Sequence, residues 1–243
     1  MSECLFVSDL HLDAARPAAT AAFLRFLQDE ASSTETLYIL GDLFEFWIGD
    51  DADDALSCTV LDALREYTGR GHRCRVTRGN RDFLLGRGFE QRTGARLLPD
   101  PEVITVSGQR ALVMHGDLLC VDDHAYQRYR ARVNRPALQR AFLALPRRWR
   151  KAAGEFGRER SRRHKAGQSA MIMDVNPEAV TAVLREHSCD LLIHGHTHRP
   201  GRHAFDIDGR SCTRIVLGDW YQQASVLVAT TSELELRSRA FGD

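Results

Sequence analysis

At 243 residues, with 43% hydrophobic and 27% charged side chains, the chain has the make-up of a soluble globular protein long enough to bury a core. No apolar run approaches the roughly 20 residues that a membrane span needs, and Ser2 to Asp9 reaches acidic residues too early for a signal peptide. Net charge is zero, yet Val121 to Gln168 carries 14 Lys+Arg against 4 Asp+Glu, leaving 19 against 29 elsewhere, so the two parts face different partners.

Leu5-Phe6-Val7 is a first strand, and Pro17 to Glu30 carries Phe23, Leu24, Phe26 and Leu27 at helical spacing. Thr36 to Leu40 is a short apolar strand of the kind buried on both faces. Asp53 to Thr68 reads as a helix with Leu56, Val60, Leu61 and Leu64 on its core side, and Cys74 to Thr77 as a third strand. Val103 to Val106 and Arg110 to Met114, separated by Ser107-Gly108-Gln109, form a hairpin. From Asn176 the α/β rhythm returns: a helix with Pro177 first, a strand Asp190 to Ile193, and strands near Arg214 to Leu217 and Ala224 to Ala229. Cys4, Cys58, Cys74, Cys120, Cys189 and Cys212 form no CxxC pair and read as small buried hydrophobes in a reducing cytoplasm.

The rhythm breaks between His124 and Gln168. Leu138, Phe142, Leu145, Trp149, Ala152 and Phe156 recur there every three or four residues, with arginines between them and Pro146 starting a second helix. Spacing alone favours a helical pair that packs its apolar stripe on the core. The alternative is a basic amphipathic cap suited to an anionic amphiphile or a membrane surface.

Polar chemistry collects where strands end. Asp9-Leu10-His11 closes the first strand, Gly41-Asp42 the second, Gly79-Asn80-Arg81-Asp82 the third, Met114-His115-Gly116-Asp117 a later one, and His194-Gly195-His196-Thr197-His198 the next. Each motif alone is an ordinary turn or a core histidine; their joint occurrence in this order is not. In an open α/β sheet the carboxyl ends of strands face the ligand crevice. The implied set of four histidines, two aspartates and an asparagine, with no thiolate, suits Mn²⁺, Fe²⁺, Co²⁺ or Zn²⁺. It is too large for one tetrahedral ion and suits two ions sharing a carboxylate, with Asp42 the candidate bridge. Two ions about 3.5–4 Å apart can activate water and neutralise a phosphoryl group under attack.

Together these motifs resemble those of the calcineurin-like metallophosphoesterases over nearly the whole chain. More narrowly, Gly41 to Asp51, Gly79 to Phe83, His115 to Cys120 with Asp122-Asp123, the basic insertion, Ile172 to Asn176 and His194 to Pro200 resemble the UDP-2,3-diacylglucosamine pyrophosphohydrolases of the lipid A pathway. The resemblance implies a four-layer α/β fold, two sheets between helices, forming a single domain over 1–243 with a helical lipid-binding cap inserted at about 124–168. It implies two Mn²⁺ ions, one held by Asp9, His11, Asp42 and His198, the other by Asp42, Asn80, His115 and His196.

Catalytic roles carry over to Asp42, Asn80, Arg81 and His196, and substrate contacts to Asn80, Arg81, Asp123, Ser161 and His196. Lys165 and Gln168 stand where the family has an asparagine and a lysine, so the cation has moved three residues, about one turn on the same helix face. His194 is expected to be structural, and Asp82 to orient a ligand or shape a turn. Arg81 replaces the histidine common in the wider family, and guanidinium is a poor proton donor near neutral pH. That suits a leaving group needing no acid, as when water attacks the phosphorus nearer uridine and expels a sugar phosphate. The expected partners are the UDP-diacylglucosamine lipid and the cytoplasmic face of the inner membrane, touched peripherally, with no nucleic acid and no protein partner. The competing expectations are a phosphoesterase acting on a soluble nucleotide or nucleic acid, and a non-catalytic scaffold.

Overall fold

The computed structural model describes residues 4–51, 54–166 and 174–241, the side chains of 158–166 excepted. Alternation along the strands decides the architecture. In β1 (Cys4–Val7), Leu5 and Val7 join one apolar cluster while Cys4 and Phe6 join another. In β2 (Thr36–Leu40), Leu37 and Ile39 go with the first cluster and Tyr38 and Leu40 with the second. A strand with period-two side chains can serve two cores at once only as the middle of a layered stack.

The first sheet has the order β11-β10-β1-β2-β3-β4, where β3 is Arg73–Thr77, β4 Arg96–Leu97, β10 Gln223–Ala229 and β11 Leu234–Ala240. Strands β1 to β4 run parallel, and the β10-β11 hairpin is antiparallel to β1. Its outer face is covered by α1 (Pro17–Gln28) and α2 (Ala55–Gly69), which bury Phe23, Phe26, Val60, Leu61 and Leu64 against it. Proline opens α1, and the Asp54 side chain caps α2 by accepting from Ser57 N at 3.0 Å. A short helix, α3 (Arg87–Thr93), closes the edge and ends on left-handed Gly94.

The second sheet has the order β5-β6-β7-β9-β8, with β5 Glu102–Val106, β6 Gln109–Met114, β7 Leu191–His194, β8 Gly201–Ile207 and β9 Arg210–Val216. β6, β7 and β9 are parallel and the two edges antiparallel. Ala111, Val113, Leu191, Ile193 and Ile215 face the first sheet, whereas Leu112, Met114 and Leu192 face α7 (Pro177–His187) with its Val180 and Leu184. The four layers are therefore helix, sheet, sheet, helix. All the cysteines are free and, except half-buried Cys58, buried.

Between β6 and β7 the chain builds α4 (His124–Val133), α5 (Pro136–Leu143) and α6 (Arg147–Ala166). The sequence suggests two helices here; three form because Pro136 also occupies a first helical position and breaks the run. The stripe does not pack as spacing alone suggests. Phe142 leans on the first core, but Leu138, Leu145, Trp149 and Phe156 are 45–71% exposed. Periodicity marks a face; whether anything covers it depends on the neighbours.

Two contacts fix α6 to the loop after β2. Arg150 is buried, donates to the Ile48 carbonyl at 2.7 Å and the Leu145 carbonyl at 3.0 Å, and forms a two-pronged pair with Asp51. Gly154 faces Phe46 so closely that a Cβ would sit 1.3 Å from the ring.

Candidate metal centre

Every candidate ligand lies just past the C-terminal end of a parallel strand: Asp9 and His11 after β1, Asp42 after β2, Asn80 after β3, His115 after β6, and His196 and His198 after β7. Because both sheets present these ends on one side, residues up to 189 positions apart in sequence come together. Backbone conformation marks the same residues. Asp9, His11, Asp42, His196 and His198 have φ of 54°, 47°, 52°, 69° and 55°, a left-handed region that side chains with a Cβ enter only under constraint. The constraint is visible: His11 N donates to the Asp42 carbonyl at 2.9 Å, and Trp220 N to the Asp9 carbonyl at 3.1 Å.

The side chains form two adjoining groups. Around Asp9 Oδ1 lie His198 Nε2 at 3.3 Å and His11 Nε2 at 3.8 Å. Asn80 Oδ1 lies 3.1 Å from His115 Nε2 and 3.0 Å from His196 Nδ1. Asp42 Oδ2 lies between them, 3.7 Å from His11 Nε2 and 3.8 Å from His115 Nε2. Asp9, His11 and His198 could hold one ion, and the carboxylates of Asp9 and Asp42 with His115 could serve another. Gly79 permits this closeness, since a Cβ there would lie 2.1 Å from Asp42 Oδ1.

Electrostatics describe a pocket that wants cations. Burial opposes ionisation of Asp9, but the close ion pair with His198 and the charges of His115 and His11 hold it well below the ordinary carboxylate range. Burial likewise opposes charge on His115, yet Asp42, Asp9 and Asp117 raise it to about 9. His198 rises to about 9 against its own burial, through Asp219 and Asp9. Asp9 Oδ1, though buried, has no hydrogen-bond partner among the described residues. Ionised carboxylates, an orphaned carboxylate oxygen and imidazoles drawn toward protonation fit divalent ions, which displace such protons on binding.

The backs of the rings are also occupied. His115 Nδ1 lies 2.9 Å from the Leu40 carbonyl, His11 Nδ1 3.3 Å from Glu45 Oε2, and His198 Nδ1 3.2 Å from Asp219 Oδ2. The carbonyl contact is a hydrogen bond that fixes the His115 tautomer and leaves its Nε2 for a metal, while Glu45 and Asp219 stand behind His11 and His198 as charge partners. Burial raises Glu45, but His11, Arg81 and Arg16 outweigh it and bring the carboxyl down to about 2. Sequence reasoning missed both carboxylates. Asp219 carried a usable signal, because Gly218-Asp219 follows a strand just as Gly41-Asp42 does.

Asp82 is fully buried, pushed up to about 6 by burial and by Asp42, and accepts from Leu43 N and Gly79 N at 2.8 Å each. It therefore ties two strand-end loops together and touches no imidazole in these bonds. His194 is buried and pushed down to about 4 by burial, which keeps it neutral, with Nδ1 2.9 Å from the Gly195 carbonyl. Arg81 contributes its backbone as well as its side chain: its N–H donates to Asp42 Oδ1 at 2.8 Å, while its guanidinium lies half-buried, 4.0 Å from Glu45.

The cap reaches the centre through α4. Tyr126 stacks on His196 with centroids 6.1 Å apart and donates to Asp117 Oδ2 at 2.5 Å. Arg130 donates to the same oxygen at 2.6 Å and to Asp100 Oδ2 at 3.2 Å, while Asp100 Oδ1 accepts from His115 N at 3.0 Å. Asp123 caps α4, accepting from Tyr126 N at 2.9 Å. Ser161 and Lys165 fall within α6, but their side chains, like all of Gln168, lie outside the described residues. A cavity of about 220 Å³ opens between α4 and the loop after β3, lined in part by Asn80, Phe83, Tyr126 and Tyr129.

The chain is similar to several known proteins. A family model described as calcineurin-like phosphoesterase matches residues 4–200. A protein of Stenotrophomonas maltophilia named UDP-2,3-diacylglucosamine hydrolase is 50% identical over 230 residues, covering 92% of this chain and 93% of its own. One of Aeromonas salmonicida with the same name is 49% identical over 235 residues, covering 97% and 92%. A Vps29 structure from Entamoeba histolytica has a TM-score of 0.49 at 17% identity, covering 99% of this chain and 93% of that one.

Proposed function

The chain belongs to the calcineurin-like phosphoesterase family, and on that premise we propose that it hydrolyses the pyrophosphate of UDP-2,3-diacylglucosamine to UMP and 2,3-diacylglucosamine 1-phosphate, a step of lipid A synthesis. The observation that carries the lipid substrate is the cap: Leu138, Leu145, Trp149 and Phe156 stand exposed among arginines on α5, α6 and the turn between them, with α6 tied to the loop after β2 and α4 stacked on His196. Large exposed apolar side chains gathered in one segment mark a binding surface, and burying acyl methylenes contributes about 0.8 kcal/mol per CH₂. Nearly full-length relatives carrying the substrate in their names support the same reading.

Asp9, His11, Asp42 and His198 would hold one ion and Asp42, Asn80, His115 and His196 the other, with manganese the metal proposed. When bound, the ions supply Lewis-acid polarisation of the phosphoryl group and an activated water. Arg81 holds the pyrophosphate by charge-assisted hydrogen bonds and stabilises the charge that develops on it. Water adds to the phosphorus nearer uridine, the bridging P–O bond breaks, and the sugar phosphate leaves as a stable anion. Asn80, His196 and, from the cap side, Asp123, Ser161, Lys165 and Gln168 are the remaining substrate contacts in this reading, which treats 124–168 as a lipid-binding insertion in one domain. Peripheral attachment to the cytoplasmic face of the inner membrane is supported by the same exposed face; no described helix is long and apolar enough to cross a bilayer.

The test is one assay with Mn²⁺, offering UDP-2,3-diacylglucosamine beside UDP-glucose and bis-p-nitrophenyl phosphate. The diacyl substrate should be turned over with the highest kcat/KM. Equal or faster use of either soluble compound would overturn the lipid assignment, and no turnover of any would favour a scaffold.

A further inference from the structure

The two groups of candidate ligands are supported unequally. His11 and His198, which share Asp9, have carboxylates behind them: Glu45 Oε2 lies 3.3 Å from His11 Nδ1, and Asp219 Oδ2 3.2 Å from His198 Nδ1. His115, on the other side of Asp42, is backed by the neutral Leu40 carbonyl at 2.9 Å. The carbonyl fixes the His115 tautomer by a hydrogen bond. A carboxylate, unlike a carbonyl, also adds a full negative charge near the ion, which strengthens the imidazole further as a donor.

Surrounding cations sharpen the contrast. Apart from the candidate ligands Asp42 and Asp9, the carboxylates around His115 are Asp100 and Asp117, and they share Arg130, which lies 3.2 and 2.6 Å from them. Glu45 is partly offset by Arg16 at 3.0 Å. Asp219 pairs with His198, and no arginine or lysine forms an ion pair with it among the described residues. Its remaining oxygen, Oδ1, accepts from Tyr221 N at 3.0 Å, which holds the carboxylate in place. Arg16 in turn donates to the His11 carbonyl at 2.6 Å and lies over the Tyr221 ring, so Glu45, Asp219 and both histidines form one braced unit.

We infer that Glu45 and Asp219 are positioning residues that make the two metal positions unequal, the Asp9–His11–His198 position holding its ion tightly and the Asn80–His115–His196 position holding a more exchangeable one. This rests on the two-ion reading above. The tight ion stays with the fold, and the exchangeable ion fills or leaves according to the metal available.

The experiment follows bound metal, not turnover. Full-length protein saturated with Mn²⁺ is equilibrated against a graded series of chelator concentrations, and residual manganese per chain is measured by mass spectrometry. The wild-type protein should release its ions in two steps separated by a plateau near one ion. Asp219→Asn and Glu45→Gln should weaken the tighter step by about 10- to 100-fold and shorten or abolish the plateau. His115→Ala should remove the weaker step alone. Release of both ions in one step from the wild type would overturn the inference, as would an effect of Asp219→Asn confined to the weaker step. Saturated protein holding a single ion would overturn the two-ion reading itself. Should a variant fail to fold, as judged by circular dichroism, the wild-type release curve still decides between one step and two.

Discussion

The metal centre and the cap invert the ordinary distribution of side chains in opposite senses. At the strand ends, Asp9, Asp42, Asp82 and His115 are polar and buried; on the cap, Leu138, Leu145, Trp149 and Phe156 are apolar and exposed. A buried carboxylate costs several kcal/mol unless charge and hydrogen bonds compensate it, and exposed aromatics forgo roughly 1.5–3 kcal/mol each of available burial. Neither arrangement stabilises the fold. In the function proposed above, each has a partner that the folded chain does not itself supply, a cation in one case and an amphiphile in the other. The two regions should therefore respond to different perturbations.

The largest effect expected is at the centre. Asp42→Ala should lower kcat/KM by more than about 10³-fold and reduce the metal bound at both positions. Mn²⁺ should raise the melting temperature of the wild-type protein and lose that effect in the variant. Two tightly held ions in Asp42→Ala would show that the carboxylate does not bridge. Next comes Arg81→Lys, which keeps the charge and loses the planar fork; a fall of about 10- to 100-fold is expected. Hydrolysis in ¹⁸O-water should place the label in UMP, and label in the sugar phosphate would reverse the assignment of the leaving group.

Smaller effects test the cap. Arg150→Met removes charge-assisted hydrogen bonds between α6 and the loop after β2, with an expected loss of about 1–3 kcal/mol, discounted because Asp51 is half exposed. Melting temperature should fall by about 2–4 °C for each kcal/mol, and the diacyl substrate should suffer more than a soluble ester. Smallest in stability are Trp149→Gln and Phe156→Ser, within about 0.5 kcal/mol because both side chains are exposed. Their effect should appear as a raised KM for the diacyl substrate alone. Equal losses on bis-p-nitrophenyl phosphate would mean that these residues support the fold.

Much of the centre was legible because its signals are local. Asp9-Leu10-His11 and His196-Thr197-His198 are readable as strand-end motifs from their residue types alone, although the alternation of an extended chain does not aim them: all four ligands are left-handed. The helices α1, α2 and α7 were legible too, since each has one apolar face and a capping residue or proline at its start. The edge strands β8 and β11 escaped notice because most of their residues are exposed, which leaves no apolar alternation to read. Glu45 and Asp219 were missed for another reason. Their roles depend on which imidazole nitrogen lies beside them, and that follows from folding two distant loops together. The exposure of Trp149 and Phe156 was equally illegible, since helical spacing is the same whether or not a neighbour covers the face.

The left-handed backbone at Asp9, His11, Asp42, His196 and His198 makes this centre hard to transplant. Each such bend costs on the order of 1–3 kcal/mol and is held by a crossing chain, as where the Leu12 segment pairs with Phe44 and Trp220 N reaches back to Asp9. Copying the ligand side chains onto straight strands of another scaffold would reproduce their identities and lose their directions. The portable unit is thus the bundle of interlocked strand-end loops, and a designer borrowing this chemistry has to move the bends together with the residues.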